Sequence, residues 1–371
     1  MTRRTRDGLV MFVRSAPLDC TPAVARYMTF LRSAGFTGRL RGLEYGFRER
    51  EPTTTLSTEV STMRRPFGTP RERVTGLLAW QIFQIRAFLN ERPELVQFCD
   101  VFSAVPALLA KYMLGARLVF DIRDNAKLAM RHKGRIISEL FGAVESLAAL
   151  ASDAVVVVND PLRTMLPSAA ARAAFVVPNV PLTDQFDGLR FSESGPLVIN
   201  LAGFVSFRRN LQTWCELQAA SCRIGLDLYG DVADEQTRAI LTRYSLGDIK
   251  RCSHVQAIER MRQADVVSLM YDPSIGINRY ATPNKYFEAL MLGKPVICAI
   301  DMRIADELAS AGCGLAVRYG DQAALAAAIE RLSDLTERRR MGAAARKLFE
   351  DQYLGAAERT MRRLYQAVGL L

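Results

Sequence analysis

The sequence predicts an α/β protein built from two doubly wound domains, each with its own parallel sheet. Three observations carry that expectation. Short apolar runs alternate with helix-length segments almost throughout, the pattern of parallel strands covered by helices on both faces. The chain of 371 residues exceeds what one hydrophobic core usually organises. Near its middle, residues 178–195 gather Pro178, Pro181, Asp184, Gly188, Ser192 and Gly195 directly after an apolar strand, the composition of an interdomain linker.

In the first half, strands are expected at 9–13, 40–45, 95–98, 117–121, 154–158 and 174–177. Residues 46–73 are the least regular part, from Arg48-Glu49-Arg50 to Met63-Arg64-Arg65-Pro66, and read as loop. A helix follows over roughly 72–91. Val74, Leu77, Leu78, Ile85, Phe88 and Leu89 recur near helical spacing as a face to cover the sheet, with Trp80 and Phe83 available to core or surface. A basic-aromatic segment of this kind could instead rest on a membrane or bind an acceptor. In the second half, strands are expected at 197–201, 225–229, 266–271, 295–299 and 314–317. Residues 320–350 read as helical and charged. The domains implied are 1–185 and 186–350, with a terminal helix over 351–371, carrying Arg359, Arg362 and Arg363, that packs back on the first domain.

Composition narrows the function. An apolar fraction of 49% with 24% charged residues is that of a folding chain, and a fibrous or disordered protein is excluded. Residues 1–190 carry 26 Lys and Arg against 18 Asp and Glu, residues 191–371 carry 23 against 21, so the basic surface belongs to the first half. Such a surface attracts phosphates, anionic lipid or nucleic acid. No aromatic-basic recognition motif accompanies the charge, which makes nucleic acid the poorer partner. The seven cysteines form no C-x-x-C pair and several sit in apolar runs such as Val296-Ile297-Cys298-Ala299, so they read as reduced core residues of a cytoplasmic protein. No run approaches the roughly 20 apolar residues of a membrane span, which leaves peripheral contact with an anionic membrane face as the remaining option. Two histidines, His132 and His254, are too few for a histidine-rich metal site, and neither is expected to act in catalysis. The G-x-S-x-G and P-loop signatures are both missing from the sequence.

The most informative run is Tyr280-Ala281-Thr282-Pro283-Asn284-Lys285-Tyr286-Phe287-Glu288, continuing to Gly293-Lys294-Pro295. Thr282 is a good N-cap, Pro283 suits the first helical position, and Gly293 ends the helix before a strand. The helix thus opens just past the loop after strand 266–271, where doubly wound sheets bind ligands and free N–H groups favour a pyrophosphate. Lys285 in the first turn opposes the helix dipole, so a bound anion would offset the repulsion. Glu288, three residues on, can accept from ribose hydroxyls while Lys285 meets phosphate. Alternatively, each is a solvated side chain.

On these residues the chain resembles the nucleotide-sugar glycosyltransferases of the GT-B fold, particularly the retaining family-four group. The resemblance is strongest from about 197 to 318 and takes in Leu201-Ala202-Gly203, Arg208-Arg209-Asn210, Asp265-Val266-Val267 and the helix after Thr282. Asp100, Val119 to Asp124, Ser152 to Val155 and Val177-Pro178-Asn179 follow the family's order in the first half. The resemblance implies two Rossmann-like domains facing a central cleft, with acceptor on the first and donor nucleotide in the second. Gly203, Arg208, Arg209, Tyr280, Thr282, Pro283, Asn284, Lys285 and Glu288 would line the donor site. Arg208 or Arg209 with Lys285 would neutralise the leaving diphosphate, with no cofactor or metal required and a donor of UDP or GDP type.

Three departures stand out. Tyr280 occupies the place of the first of the family's two spaced glutamates, so it either meets the donor sugar or is a packed loop residue. Arg123 stands where Asp-x-His-Asp-like sequences are common. Ser15-Ala16-Pro17-Leu18-Asp19 replaces the usual glycine pair. Asp124, just past a strand end, is the preferred acid/base or acceptor-positioning residue, with Asp19 next; a helix cap is the alternative for each. The function implied is transfer of a hexosyl group to a glycan or lipid-linked acceptor in cell-surface polysaccharide assembly. An epimerase of the same fold and a non-catalytic partner subunit are the alternatives.

Overall fold

The computed structural model describes residues 8–16, 18, 22–47, 60–65, 70–221, 223–232, 234–247, 249–250 and 252–371. The chain forms two compact units, Met1–Pro178 with Gly355–Leu371, and Asn179–Leu354.

The first unit runs β1 (Leu9–Arg14), α1 (Pro22–Ser33), β2 (Arg39–Phe47), β3 (Val60–Arg65), α2 (Pro70–Glu91), β4 (Leu95–Phe98), α3 (Ala104–Leu114) and β5 (Arg117–Ile122). It continues with α4 (Ala126–Ala129), α5 (Arg135–Ala151), β6 (Ala154–Val157), α6 (Asp160–Thr164), α7 (Ser168–Arg172) and β7 (Ala174–Val176). Its sheet is parallel throughout, in the order β3-β2-β1-β4-β5-β6-β7. Central strands are continuously apolar because helices cover both faces: Val10 to Val13, Leu118 to Phe120 and Val155 to Val157 are all buried. The order reverses between β1 and β4, so the loops after β1, β4 and β5 open on one crevice.

The second unit runs β8 (Leu197–Val205), α8 (Leu211–Ala220), β9 (Ile224–Val232), α9 (Glu235–Arg243), α10 (His254–Gln263), β10 (Val266–Leu269) and α11 (Asn284–Met291). It closes with β11 (Val296–Ala299), α12 (Ile304–Ala311), β12 (Gly314–Val317), α13 (Gln322–Ser333) and α14 (Leu335–Leu348). Its parallel sheet has the order β12-β11-β10-β8-β9, with the reversal between β8 and β10. After a π-helical turn at Phe349–Tyr353, α15 (Ala356–Ala367) returns to the first unit. There Tyr365 is buried and donates to Gln97 Oε1 at 2.7 Å. Both sheets agree with the doubly wound α/β expectation.

Two readings are corrected. Residues 60–65, expected as loop, form β3, paired in parallel with β2 from Gly42↔Val60 to Phe47↔Arg65. The strand VSTMRR is polar because it lies at the sheet edge, where no continuous apolar run is needed. Helix α2 does cover the sheet, but through Trp80, Gln84 and Phe88, which are buried, whereas Val74, Leu77, Leu78 and Leu89 face outward. Both faces of this helix are apolar, so spacing could not choose between them.

The stretch 178–195 has neither helix nor strand, as its turn-forming residues dictate, yet it is held firmly to the second unit. Arg346 grips Asp184 with both terminal nitrogens, at 2.7 and 2.5 Å. Lys294, fully buried, donates to the Arg190 carbonyl beneath the Phe191 ring. Buried Asp265 accepts from Ser192 N and Val198 N at 2.8 and 2.9 Å.

Candidate functional site

In the second unit the site forms at the reversal between β8 and β10, beyond the strands' C-terminal ends. Near the C-terminal end of β8, Gly203 has φ +89°, a conformation that suits glycine. On the neighbouring strand Gly230 has φ +122°, and a Cβ there would lie 1.8 Å from the Gly203 carbonyl oxygen. Absence of both side chains lets the two backbones close together at the floor of the site.

The next turn, Phe207–Arg209, is capped by Ser206, whose Oγ accepts from Arg208 N at 3.2 Å. Phe207 N donates to Thr237 Oγ1 at 2.9 Å, and the Tyr319 hydroxyl donates to the Phe207 carbonyl at 3.3 Å. This turn separates its two arginines. Arg208 turns outward to pair with Asp272 at 3.5 Å. Arg209 turns inward, its guanidinium 3.3 Å from the Tyr271 ring centroid, and its Nη1 is buried without a hydrogen-bond partner among the described residues.

Opposite Arg209, Lys285 donates to the Ala202 carbonyl. Burial pushes the Lys285 pKa down; Tyr271 and Glu288 oppose that, and Arg209 adds to it as a like charge. Leu201, Ala202, Phe204, Ser268 and Tyr271 complete the wall around the two cations. Helix α11, which carries Lys285, begins one residue later than expected. Pro283, not Thr282, is the N-cap, in extended conformation at φ −69° and ψ 155°, because the ring fixes φ where the cap needs it. Thr282 instead presents its carbonyl to Asn179 Nδ2 at 3.2 Å. Asn284 is the first helical residue, and Gly293, at φ +64°, follows the helix end.

Glu288 is buried on α11, and His254 Nε2 lies 2.8 Å from its Oε1. From the sequence, His254 is expected to take no part in catalysis. It is the first residue of α10, presented by a capping box between Ser253 and Gln256. The sequence signal was available: Ser-x-x-Gln at 253–256 starts a helix. Tyr280 ends the turn Gly276–Tyr280 and is half-buried. The structure therefore brings Gly203, Arg209 and Lys285 together, with Glu288 one turn along α11, while Arg208 points away.

In the first unit a cavity of about 230 Å³ opens past β1, β4 and β5, with Arg14, Asp100, Arg123, Asp124 and Glu145 in its wall. Asp124 is exposed there. It does not cap a helix. That duty falls to Asn125, whose Oδ1 accepts from Leu128 N at 3.0 Å at the start of α4. Arg123, at the position of the family's histidine, reaches into the core and donates to Asp121 Oδ2 at 2.6 Å and the Tyr27 hydroxyl at 2.8 Å. Arg14 Nη1 is buried at the cavity without a hydrogen-bond partner among the described residues. Asp19 lies outside the described residues.

Sequence reasoning missed Glu145. Buried on α5, it accepts from Asn125 Nδ2 and Ala126 N, both at 2.7 Å, and so fixes the segment that begins with Asp124. Burial raises its pKa to about 7, with Asp124 acting in the same direction and the Ala126 N–H opposing. A lone carboxylate on the face shared by Ser138, Ala148 and Ala149 was the available signal.

No family model matches the chain, and no curated protein matches it. Solved structures do. Sucrose-phosphate synthase from Thermosynechococcus elongatus superposes with a TM-score of 0.73 at 17% identity, over 97% of this chain and 99% of that one. HepE from Anabaena in complex with UDP and glucose gives 0.66 at 14% identity, over 98% and 99%. The lipopolysaccharide outer core galactosyltransferase WaaB gives 0.60 at 13% identity, over 97% and 99%. With two parallel, doubly wound sheets and a match along nearly its whole length, the chain has the GT-B fold of these structures.

Proposed function

We propose that the protein is a glycosyltransferase that moves a hexosyl group from a nucleotide-diphosphate sugar, of UDP or GDP type, to a glycan or lipid-linked acceptor. Cell-surface polysaccharide assembly at the cytoplasmic face of a membrane is the setting it suits. One observation carries the reading: Arg209 and Lys285, two cations that disfavour each other, converge at the sheet reversal beside the start of α11. A diphosphate relieves that repulsion, and HepE, a protein of the same fold, is known with UDP and glucose.

The chemistry follows from charge. As the bond from the anomeric carbon to the diphosphate oxygen breaks, negative charge grows on the phosphate, and fixed cations stabilise it more in the transition state than in the ground state. The Lys285 ammonium spends one proton on Ala202 and keeps two for phosphate oxygens. Glu288 shares one oxygen with His254 and offers the other to a ribose hydroxyl. In the first unit Asp124, exposed in the cavity wall beside Arg14 and Arg123, takes the proton of the acceptor hydroxyl.

Transfer from UDP-sugars and GDP-sugars by wild type and Asp124→Asn tests this. Asp124→Asn should keep its nucleotide affinity and lose transfer by roughly 100-fold or more. Unimpaired turnover would remove Asp124 as the base. Conversion of donor to its epimer without acceptor would assign an isomerase instead.

A further inference from the structure

Three neighbouring helices of the first unit carry apolar side chains on the face that points away from the sheet. On α5, Ser138, Glu145, Ala148 and Ala149 are buried, while Ile136, Leu140, Leu147 and Leu150 form an exposed stripe at helical spacing, Ile136 at 85%. On α3 the buried residues are Ala104, Pro106, Ala107 and Ala110, and Val105, Leu109, Tyr112 and Met113 are exposed. On α2, Val74, Leu78, Ile82 and Leu89 are exposed opposite Trp80 and Phe88. Helix α2 packs against α3 and α3 against α5, so the three stripes share one side of the layer. An exposed apolar face spread over three helices exceeds the scattered apolar residues of an ordinary surface.

Charge identifies the occupant. Arg131, Lys133 and Arg135 are all exposed and lead directly into Ile136. Glu139, one turn into α5, is held by Lys127 at 2.8 Å. Arg71 and Arg86 are exposed on α2. A second copy on this face would bring the same cationic collar into a two-fold contact, like against like. A bilayer accommodates both features, with apolar side chains entering the acyl boundary and cations meeting lipid phosphates. Among the described residues no helix is long and apolar enough to cross a membrane, so the contact would be in-plane.

We infer that the outward face of α2, α3 and α5 docks this protein on an anionic lipid surface. This gives the membrane setting of the proposed function a physical surface and is independent of the donor site.

The test is co-sedimentation of the full chain with vesicles of phosphatidylcholine alone and of phosphatidylcholine with phosphatidylglycerol. Wild type should bind the anionic vesicles and lose that binding in high salt. Ile136→Glu/Leu140→Glu and Arg131→Glu/Arg135→Glu should each weaken it by roughly tenfold or more. Leu78→Glu/Ile82→Glu, on a different helix, should do the same. All six positions are exposed, and unchanged thermal unfolding confirms folding. Absence of binding by wild type, or equal binding by folded variants, would overturn the inference. Wild-type dimers in sedimentation velocity that the same substitutions dissociate would assign the face to a second copy.

Discussion

Glu145→Gln separates stability from positioning in the first unit. The Glu145 carboxylate accepts two N–H groups, from Asn125 and Ala126, and burial raises its pKa from the ordinary 4.5 to about 7. In that interval the folded protein binds more protons at this site than the unfolded chain, so its contribution falls as pH rises from 4.5 to 7. A difference of about 2.5 pH units at about 1.4 kcal/mol each makes the loss roughly 3 to 4 kcal/mol. Glutamine cannot ionise and lacks this slope. It retains one acceptor, and its NH₂ then faces a donor, because Asn125 Oδ1 is committed to Leu128 N. Urea unfolding at several pH values should show the variant no more stable than wild type near pH 5 and gaining roughly 3 to 4 kcal/mol on it by pH 8. Turnover should fall at pH 8 despite the added stability, because the segment starting at Asp124 loses one of its two anchors. Parallel stability curves for the two proteins would refute the assignment of a raised pKa to Glu145. A variant with full turnover would refute its positioning role.

Two further substitutions probe the second unit. Gly230→Ala places a Cβ against the Gly203 carbonyl in a backbone conformation open to glycine, and should cost about 3 kcal/mol in thermal unfolding. A neutral effect would mean that the two backbones are not in close approach. Lys294 is buried with its pKa pushed down to about 8, so wild-type stability should rise as pH goes from 8 towards the ordinary 10.5, where the unfolded chain holds the extra proton. Lys294→Met should remove that rise, and an unchanged slope would contradict the burial of a titrating ammonium.

The fold was legible because buried parallel strands are apolar runs, and strands such as β4 and β12 were bounded correctly by that rule. β3 escaped it. At the sheet edge Val60-Ser61-Thr62-Met63-Arg64-Arg65 has no run to detect. Helix α2 is legible as a helix, but the face it buries is not, because Val74 and Leu78 on one side and Trp80 and Phe88 on the other are equally apolar. On the candidate site, Lys285 and Glu288 stood out through local grammar: cap, helix start and glycine exit. His254 and Glu145 did not, since each acts across more than 15 residues of chain, on Glu288 and on Asn125. Arg208 and Arg209 are adjacent in sequence and equal in chemistry, and only the Phe207–Arg209 turn sends one inward.

The most direct test of the central claim is calorimetric titration of UDP and uridine, with GDP and guanosine alongside, into wild type and Lys285→Met. The preferred diphosphate should bind wild type and lose roughly tenfold or more in the variant, while its nucleoside is unaffected, since only the diphosphate meets the ammonium. Equal loss of diphosphate and nucleoside, or undiminished diphosphate binding in the folded variant, would contradict a phosphate site between Arg209 and Lys285.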